Sequence, residues 1–280
     1  MSSPTIGFLG AGHLAGALIA GLLQPEAGFS PKNLIASTHD AKSAAAVSKR
    51  FGIDCRADNR WLCENADYLI LAVKPQQIRD VLEEIREYPF NAQVVISVAA
   101  GIQLADYRKL LGDDITLVRA MPNVAASVQA ALTGLYTEDE LDEADEAVIE
   151  EIFSAVGSTA WLDDETQMDG FIALSGSGIA YFFRFMQAMM AAGESYGFEK
   201  DELYDIISLT ALGAATLAMD EEKHTDFSAF VKGIAVPQGT TEQAIKIFDE
   251  QHLDQLVARA MDAVVSRSRA INDELTGDWQ

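Results

Sequence analysis

Between Thr5 and Arg119 five short apolar runs alternate with stretches of helical spacing, and this alternation limits the fold more than any other feature. The runs, at residues 5–9, 34–37, 68–73, 94–98 and 116–119, are rich in Ile, Leu and Val. They do not switch between apolar and polar residues, which is the pattern of strands buried on both faces. Helical stretches at 14–23, 41–51, 78–88 and 104–111 separate them. Such a chain winds a parallel sheet with helices on both sides, a Rossmann-type doubly wound α/β fold. Two further short strands, near 134–137 and 159–162, are expected to complete it, and the acidic run 138–151 reads as the solvated face of a helix.

Past Trp161-Leu162-Asp163-Asp164-Glu165 the character changes. Long helical patterns follow, at 168–195, 199–219, 241–249 and 254–275, and no further strand is expected. The expected organisation is therefore an α/β domain over 1–162 and an all-helical C-terminal domain over 163–280. The most apolar stretch, 171–192, carries Arg184, Gln187, Gly176 and Gly178, so it reads as a buried helix and not as a membrane span.

A net charge of −23 argues against nucleic acid and anionic membranes as partners, because phosphates need basic surface. Met1-Ser2-Ser3-Pro4 leads into an apolar strand without a basic segment, so no secretory signal is read and the cytoplasm is the expected location. Cys55 and Cys63 lie in a stretch that reads as helix or loop, without zinc spacing, and are expected to be reduced thiols.

The first apolar run ends in Gly10-Ala11-Gly12-His13-Leu14-Ala15 and a helix opens directly after it. Glycines in a strand-to-helix turn let backbone N–H groups approach a pyrophosphate, so this turn is read as a nicotinamide-dinucleotide site. At the end of the second run an acid normally holds the ribose of NAD; here the residues are Ser37-Thr38-His39, and Asp40 belongs to the next helix. Ser37, Thr38 and Lys42 suit a 2′-phosphate, which favours NADP with NAD as the alternative, although no arginine is seen beside them.

Further motifs occupy later strand ends: Ala72-Val73-Lys74-Pro75-Gln76, Ser97-Val98-Ala99-Ala100-Gly101-Ile102 and Arg119-Ala120-Met121-Pro122-Asn123. In the helical half stand Ala173-Leu174-Ser175-Gly176-Ser177-Gly178 and Pro237-Gln238-Gly239-Thr240-Thr241. In this order the motifs resemble the pyrroline-5-carboxylate reductases, the last enzymes of proline synthesis, over nearly the whole chain. The resemblance implies that Ala72, Val73, Lys74, Pro75, Ala99 and Ala100 line the cofactor with Gly10, Ala11, Gly12, His13 and Leu14, and that Asn59 stands near the adenosine. It implies a cyclic imine acid as substrate, met by Met121, Asn123, Gly178, Gly239, Thr240 and Thr241, with the Thr241 hydroxyl on the substrate nitrogen. It also implies a homodimer or larger homo-oligomer built through the helical domain.

The substrate loop carries its own physics. Thr240-x-x-Gln243 fits a capping box, which predicts a helix start whose N–H groups, from Gly239, Thr240 and Thr241, attract a carboxylate. Hydride transfer to a protonated imine asks mainly for positioning, so the lack of an evident histidine–carboxylate pair is no obstacle. His13, His39, His224 and His252 show no metal spacing.

Departures from the family pattern gather where substrate is expected: Val124-Ala125 for Thr-Pro, Ile172 for Thr, Ile179 for Pro, Val236 for Ser and Gln238 for Gly. Glu222-Lys223-His224-Thr225 keeps part of a Glu-x-His-Pro stretch. Two alternatives stay open on the sequence: a hydroxyacid-dehydrogenase-type oxidoreductase, and a dinucleotide-binding paralogue without catalysis. The first normally needs a lysine on the long helix, where 168–195 offers only Arg184.

Overall fold

The computed structural model describes residues 3–92, 94–220 and 226–279, so the Glu222–Thr225 stretch lies outside the described residues. Eight strands form one sheet: β1 (Ile6–Leu9), β2 (Leu34–Ser37), β3 (Asp54–Arg56), β4 (Tyr68–Leu71), β5 (Val94–Ser97), β6 (Thr116–Met121), β7 (Ala131–Tyr136) and β8 (Gly157–Trp161). Their order is β3-β2-β1-β4-β5-β6-β7-β8. The first six are mutually parallel; β7 runs antiparallel to β6, and β8 is parallel to β7. The sheet is thus mixed, because the short connection from β6 to β7 turns the chain back instead of crossing over it.

The doubly wound reading holds because β1, β2, β4 and β5 are buried at every position. Their alternate side chains feed two cores. Ile6, Phe8, Ile70 and Ile96 meet Leu18, Ile19 and Leu22 on one face, and Leu9, Leu69, Leu71 and Val95 meet Leu62, Ile78 and Leu82 on the other. Each such aliphatic side chain contributes about 1.5–3 kcal/mol by leaving water.

Strand β3 has no counterpart in the sequence reading. It is three residues long at the sheet edge, with Cys55 buried between exposed Asp54 and Arg56. Cys55 therefore lies on a strand, where helix or loop was expected, and Cys63 on a helix, Asn59–Asn65, one of the two forms expected for that stretch. Both thiols are free and buried. The helix owes its start to Asp58, whose carboxylate accepts the Trp61 N–H at 2.9 Å. Of the acidic run 138–151, the part from Glu143 lies on a helix, Glu143–Ser154, capped by Asp142, while 138–142 precede it.

The chain divides into two compact units: all residues up to Gly176 together with those from Val264 onward, and Ser177–Ala263. The second unit is helical, with Gly178–Gly193, Lys200–Ala218, Phe227–Ile234, Thr240–Glu250 and the first part of Leu253–Thr276. Ahead of Gly178 the helical stretch passes through a π-helical turn, Ile172–Gly176. Among the described residues no helix is long and apolar enough to cross a membrane.

Candidate active site

The parallel strands run in the order 3-2-1-4-5-6, which reverses direction between β1 and β4. Ligands of open α/β sheets lie outside the carboxyl ends of the strands at this reversal. The glycine turn and the Ala72–Lys74 loop leave the sheet there, joined where Ala72 N–H donates to the Leu9 carbonyl at 2.8 Å.

Two glycines make the turn for different reasons. Gly10 has φ +91°, and a Cβ there would stand 2.8 Å from Val73 Cγ1 and 3.0 Å from the Ala72 carbonyl carbon. Its N–H donates to the Ser37 carbonyl at 3.0 Å. Gly12 caps helix His13–Leu22 without any side-chain cap, and a Cβ on it would meet nothing within 4 Å. The first-turn amides of a helix have no partner within it, and here they open, with exposed Gly12 and His13, onto free space. That is the cradle a pyrophosphate requires, so the residues present fit a dinucleotide.

At the end of β2, Ser37 is wholly buried and its hydroxyl donates to Asn59 Oδ1 at 2.7 Å. Asn59 in turn donates from Nδ2 to both Glu84 oxygens, at 3.1 and 3.2 Å. Ser37 and Asn59, placed near the adenosine on different grounds, are thus brought together. The Thr38 hydroxyl donates to the Asp40 carbonyl at 3.1 Å. Asp40 caps helix Ala41–Phe51 by accepting from Ser43 N and Oγ, both at 2.8 Å, and these bonds hold its carboxyl below the usual range.

Lys74 is exposed and stands at the N-cap of helix Pro75–Ile85, with Pro75 in the first position, where its missing N–H is harmless. After β5, buried Ala99 and exposed Ala100 follow Ser97. The Ala99 N–H donates to Ser97 Oγ at 3.2 Å, and that oxygen also shares a hydrogen bond with the fully buried Tyr107 hydroxyl. This network fixes a loop expected to line the cofactor, and sequence spacing alone gave no sign of it.

Met121 ends β6 and is buried. Asn123 serves local structure: its Oδ1 accepts the Ala125 N–H at 3.1 Å and its Nδ2 donates to Ser175 Oγ at 3.0 Å. Toward the carboxyl end of β6, in register with Ser97, Arg119 is buried against Glu165 at 2.6 Å, and Glu165 also accepts the Leu104 N–H at 2.9 Å.

Gly178, Gly239, Thr240 and Thr241 belong to the helical unit. Here the structure corrects two expectations. The capping box is absent: Gly239 is the N-cap of helix Thr240–Glu250, Thr240 is its first residue, and no side chain caps it. Nor is the Gly239 N–H free, because it donates to the Val236 carbonyl at 2.9 Å. The tight loop forces both outcomes, and it is closed by Glu242 reaching back to the Gln238 N–H at 3.1 Å. Lys246, at 3.2 Å, and that N–H hold the Glu242 carboxyl below the usual range. Gln238, where the family pattern has glycine, sits at φ 60°. His252 is exposed between two helices at φ 53°. Among the described residues no cluster of three or more His, Cys, Asp or Glu is placed to hold a metal ion.

A reversed-order parallel sheet with a glycine cradle at its switch point, followed by a helical unit, defines a dinucleotide-dependent oxidoreductase. Comparison with known proteins narrows this. A family model described as NADP oxidoreductase coenzyme F420-dependent matches residues 5–101, and one described as pyrroline-5-carboxylate reductase dimerisation matches residues 165–271. Curated relatives include the pyrroline-5-carboxylate reductase of Pseudomonas aeruginosa, 37% identical and covering 98% of this chain and 99% of that protein. That of Vibrio alginolyticus is 33% identical over 96% and 97%. A solved pyrroline-5-carboxylate reductase from Coxiella burnetii superimposes with TM-score 0.88 at 34% identity, covering 96% of this chain and 99% of that one. The chain belongs to the pyrroline-5-carboxylate reductase family.

Proposed function

We propose that the protein reduces the C=N bond of pyrroline-5-carboxylate to give proline, with NADPH as the reductant. The family relation over almost the full chain carries the reading, and the open cradle at Gly12 supports it. A solved relative from Plasmodium falciparum is described with NADP bound.

In this reading residues 1–162 bind the dinucleotide and 163–280 hold substrate and build the oligomer. Gly10, Ala11, Gly12, His13 and Leu14 cradle the pyrophosphate; Ser37, Thr38 and Asn59 hold the adenosine side; Ala72, Val73, Lys74, Pro75, Ala99 and Ala100 flank the nicotinamide side. The reduced nicotinamide supplies the hydride when bound. Thr240 and Thr241 present first-turn amides that no side chain caps, and these attract the substrate carboxylate. The Thr241 hydroxyl orients the ring nitrogen, with Met121, Asn123 and Gly178 bounding the substrate. A protonated imine carbon is already electrophilic, so orientation is the main demand on these residues.

The quaternary reading is a homodimer or larger homo-oligomer. Of helices Gly178–Gly193 and Lys200–Ala218 only Gly178, Gly193, Leu203 and Ile207 are buried. Phe182, Phe183, Leu209 and Leu212 are each more than 60% exposed. A monomer rarely leaves so many large apolar side chains of two helices in water, and a second copy would cover them. Unpaired thiols at Cys55 and Cys63 fit a reducing compartment, and we place the protein in the cytoplasm.

The test is oxidation of NADPH by purified protein supplied with pyrroline-5-carboxylate, with proline identified as product. No turnover across a broad pH range, in protein that binds NADPH, would leave a dinucleotide-binding paralogue as the surviving reading. Light scattering checks the oligomer: a monomer at micromolar concentration would refute it.

A further inference from the structure

The geometry points to Arg56 as the residue that selects NADP over NAD by binding the phosphate on the adenosine ribose. The assignment rests on the cofactor reading above. It starts from a gap in the site: no carboxylate at the end of β2 is free to hold a ribose 2′-hydroxyl, since Asp40 accepts from Ser43 twice and faces His39 at 2.6 Å. Ser37 and Thr38 are engaged as well, as donors to Asn59 Oδ1 and to the Asp40 carbonyl. A 2′-phosphate therefore needs a donor from elsewhere.

Strand β3 provides it. Ser37 and Arg56 are register partners at the carboxyl ends of adjacent parallel strands, so their side chains leave the same face of the sheet. The Thr38 N–H donates to the Arg56 carbonyl at 3.0 Å, which fixes the two strand ends to each other. The guanidinium lies over the Trp61 ring at 4.0 Å and is half exposed. Asp54 accepts from Nε at 3.2 Å and from Nη2 at 2.7 Å. One edge of the fork is thus held by Asp54 and its flat face by Trp61, while Nη1 has no protein acceptor among the described residues. A planar cation immobilised in this way, with an open edge, is suited to a phosphate oxygen. Other charges nearby in sequence are His39, Lys42 and Arg60 on the positive side and Asp54, Asp40, Asp58 and Glu64 on the negative. Arg60 is engaged by Glu64 at 2.8 Å and lies 6.0 Å from the Tyr88 ring, so Arg56 is the cation paired in register with Ser37 at the strand ends.

Calorimetric or fluorescence titration of the full chain with NADPH and with NADH tests the assignment. In Arg56→Ala, the NADPH dissociation constant is expected to rise on the order of tenfold to a hundredfold, while that for NADH stays unchanged. Arg56→Lys keeps the charge without the fork and should fall between the two proteins. Binding of 2′,5′-ADP should weaken in parallel with NADPH. The unchanged NADH affinity doubles as the control for folding. Equal weakening of both dinucleotides would overturn the assignment in favour of adenine stacking on the Arg56–Trp61 pair. Unchanged affinity for both would overturn it outright. Wild-type protein that binds neither would instead overturn the cofactor reading itself.

Discussion

Gly10 and Val73 approach so closely that a single added carbon on the glycine would stand 2.8 Å from the valine methyl. The contact joins the turn after β1 to the loop after β4, the two segments that flank the switch point of the sheet. Gly12, two residues on, faces open space.

The two glycines should therefore fail differently. Gly10→Ala meets a left-handed backbone and a packed neighbour and should cost about 2–4 kcal/mol in urea unfolding. Gly12→Ala should change stability by less than about 0.5 kcal/mol, yet weaken NADPH binding by roughly tenfold or more, because its methyl occupies the cradle. A Gly12 variant with native affinity would mean that the pyrophosphate does not sit there.

Replacing Asn59 by Ala removes the acceptor from a wholly buried Ser37 hydroxyl. An orphaned hydroxyl of this kind costs about 1–3 kcal/mol. Chemical denaturation of Asn59→Ala and of the double variant Asn59→Ala/Ser37→Ala measures it; the double variant should recover part of the loss.

Cys63 is fully buried, and burial followed by the Glu84 charge pushes its thiol up to about 12. The folded value lies above the unfolded one of about 8.5, so ionisation favours the unfolded chain. Stability present below about pH 8.5 should be lost progressively as pH climbs toward 12, and Cys63→Ala should flatten that slope. Native protein at pH 8 should resist thiol reagents at Cys63 until it is denatured.

Gln238 holds φ 60° in the substrate loop. Relief of a left-handed side chain is worth about 1–2 kcal/mol, and the extra freedom of glycine in the unfolded chain takes back about 0.5–1 kcal/mol. Gln238→Gly should stabilise the protein by roughly 0.5 kcal/mol, read as a higher urea midpoint. A lower midpoint would show that the Gln238 side chain contributes more than its backbone costs.

Buried strands announce themselves by composition, which is why β1, β2, β4, β5 and β6 were legible from runs of Ile, Leu and Val. β3 was not, because an edge strand of three residues buries one side chain, Cys55, and reads as charged loop. That omission hid Arg56 as well, since its nearness to Ser37 exists only through strand pairing. Strand-end motifs were legible as strand ends, because connectivity alone determines where carboxyl ends lie. The substrate loop was less legible: Thr240-x-x-Gln243 has the letters of a capping box, but backbone geometry puts the cap at Gly239. Local letters do not record which N–H groups a tight loop has already engaged.

β3 also marks where the sheet stops. Backbone groups along an outer strand can template another molecule's strand, and proteins guard such borders with brevity and charge. Here the guard is a three-residue strand flanked by the Asp54–Arg56 pair. Redesign of the enzyme toward NADH at position 56 would therefore touch colloidal behaviour along with cofactor choice. A β-branched apolar replacement there invites intermolecular sheet growth that a polar one, such as Arg56→Gln, would avoid.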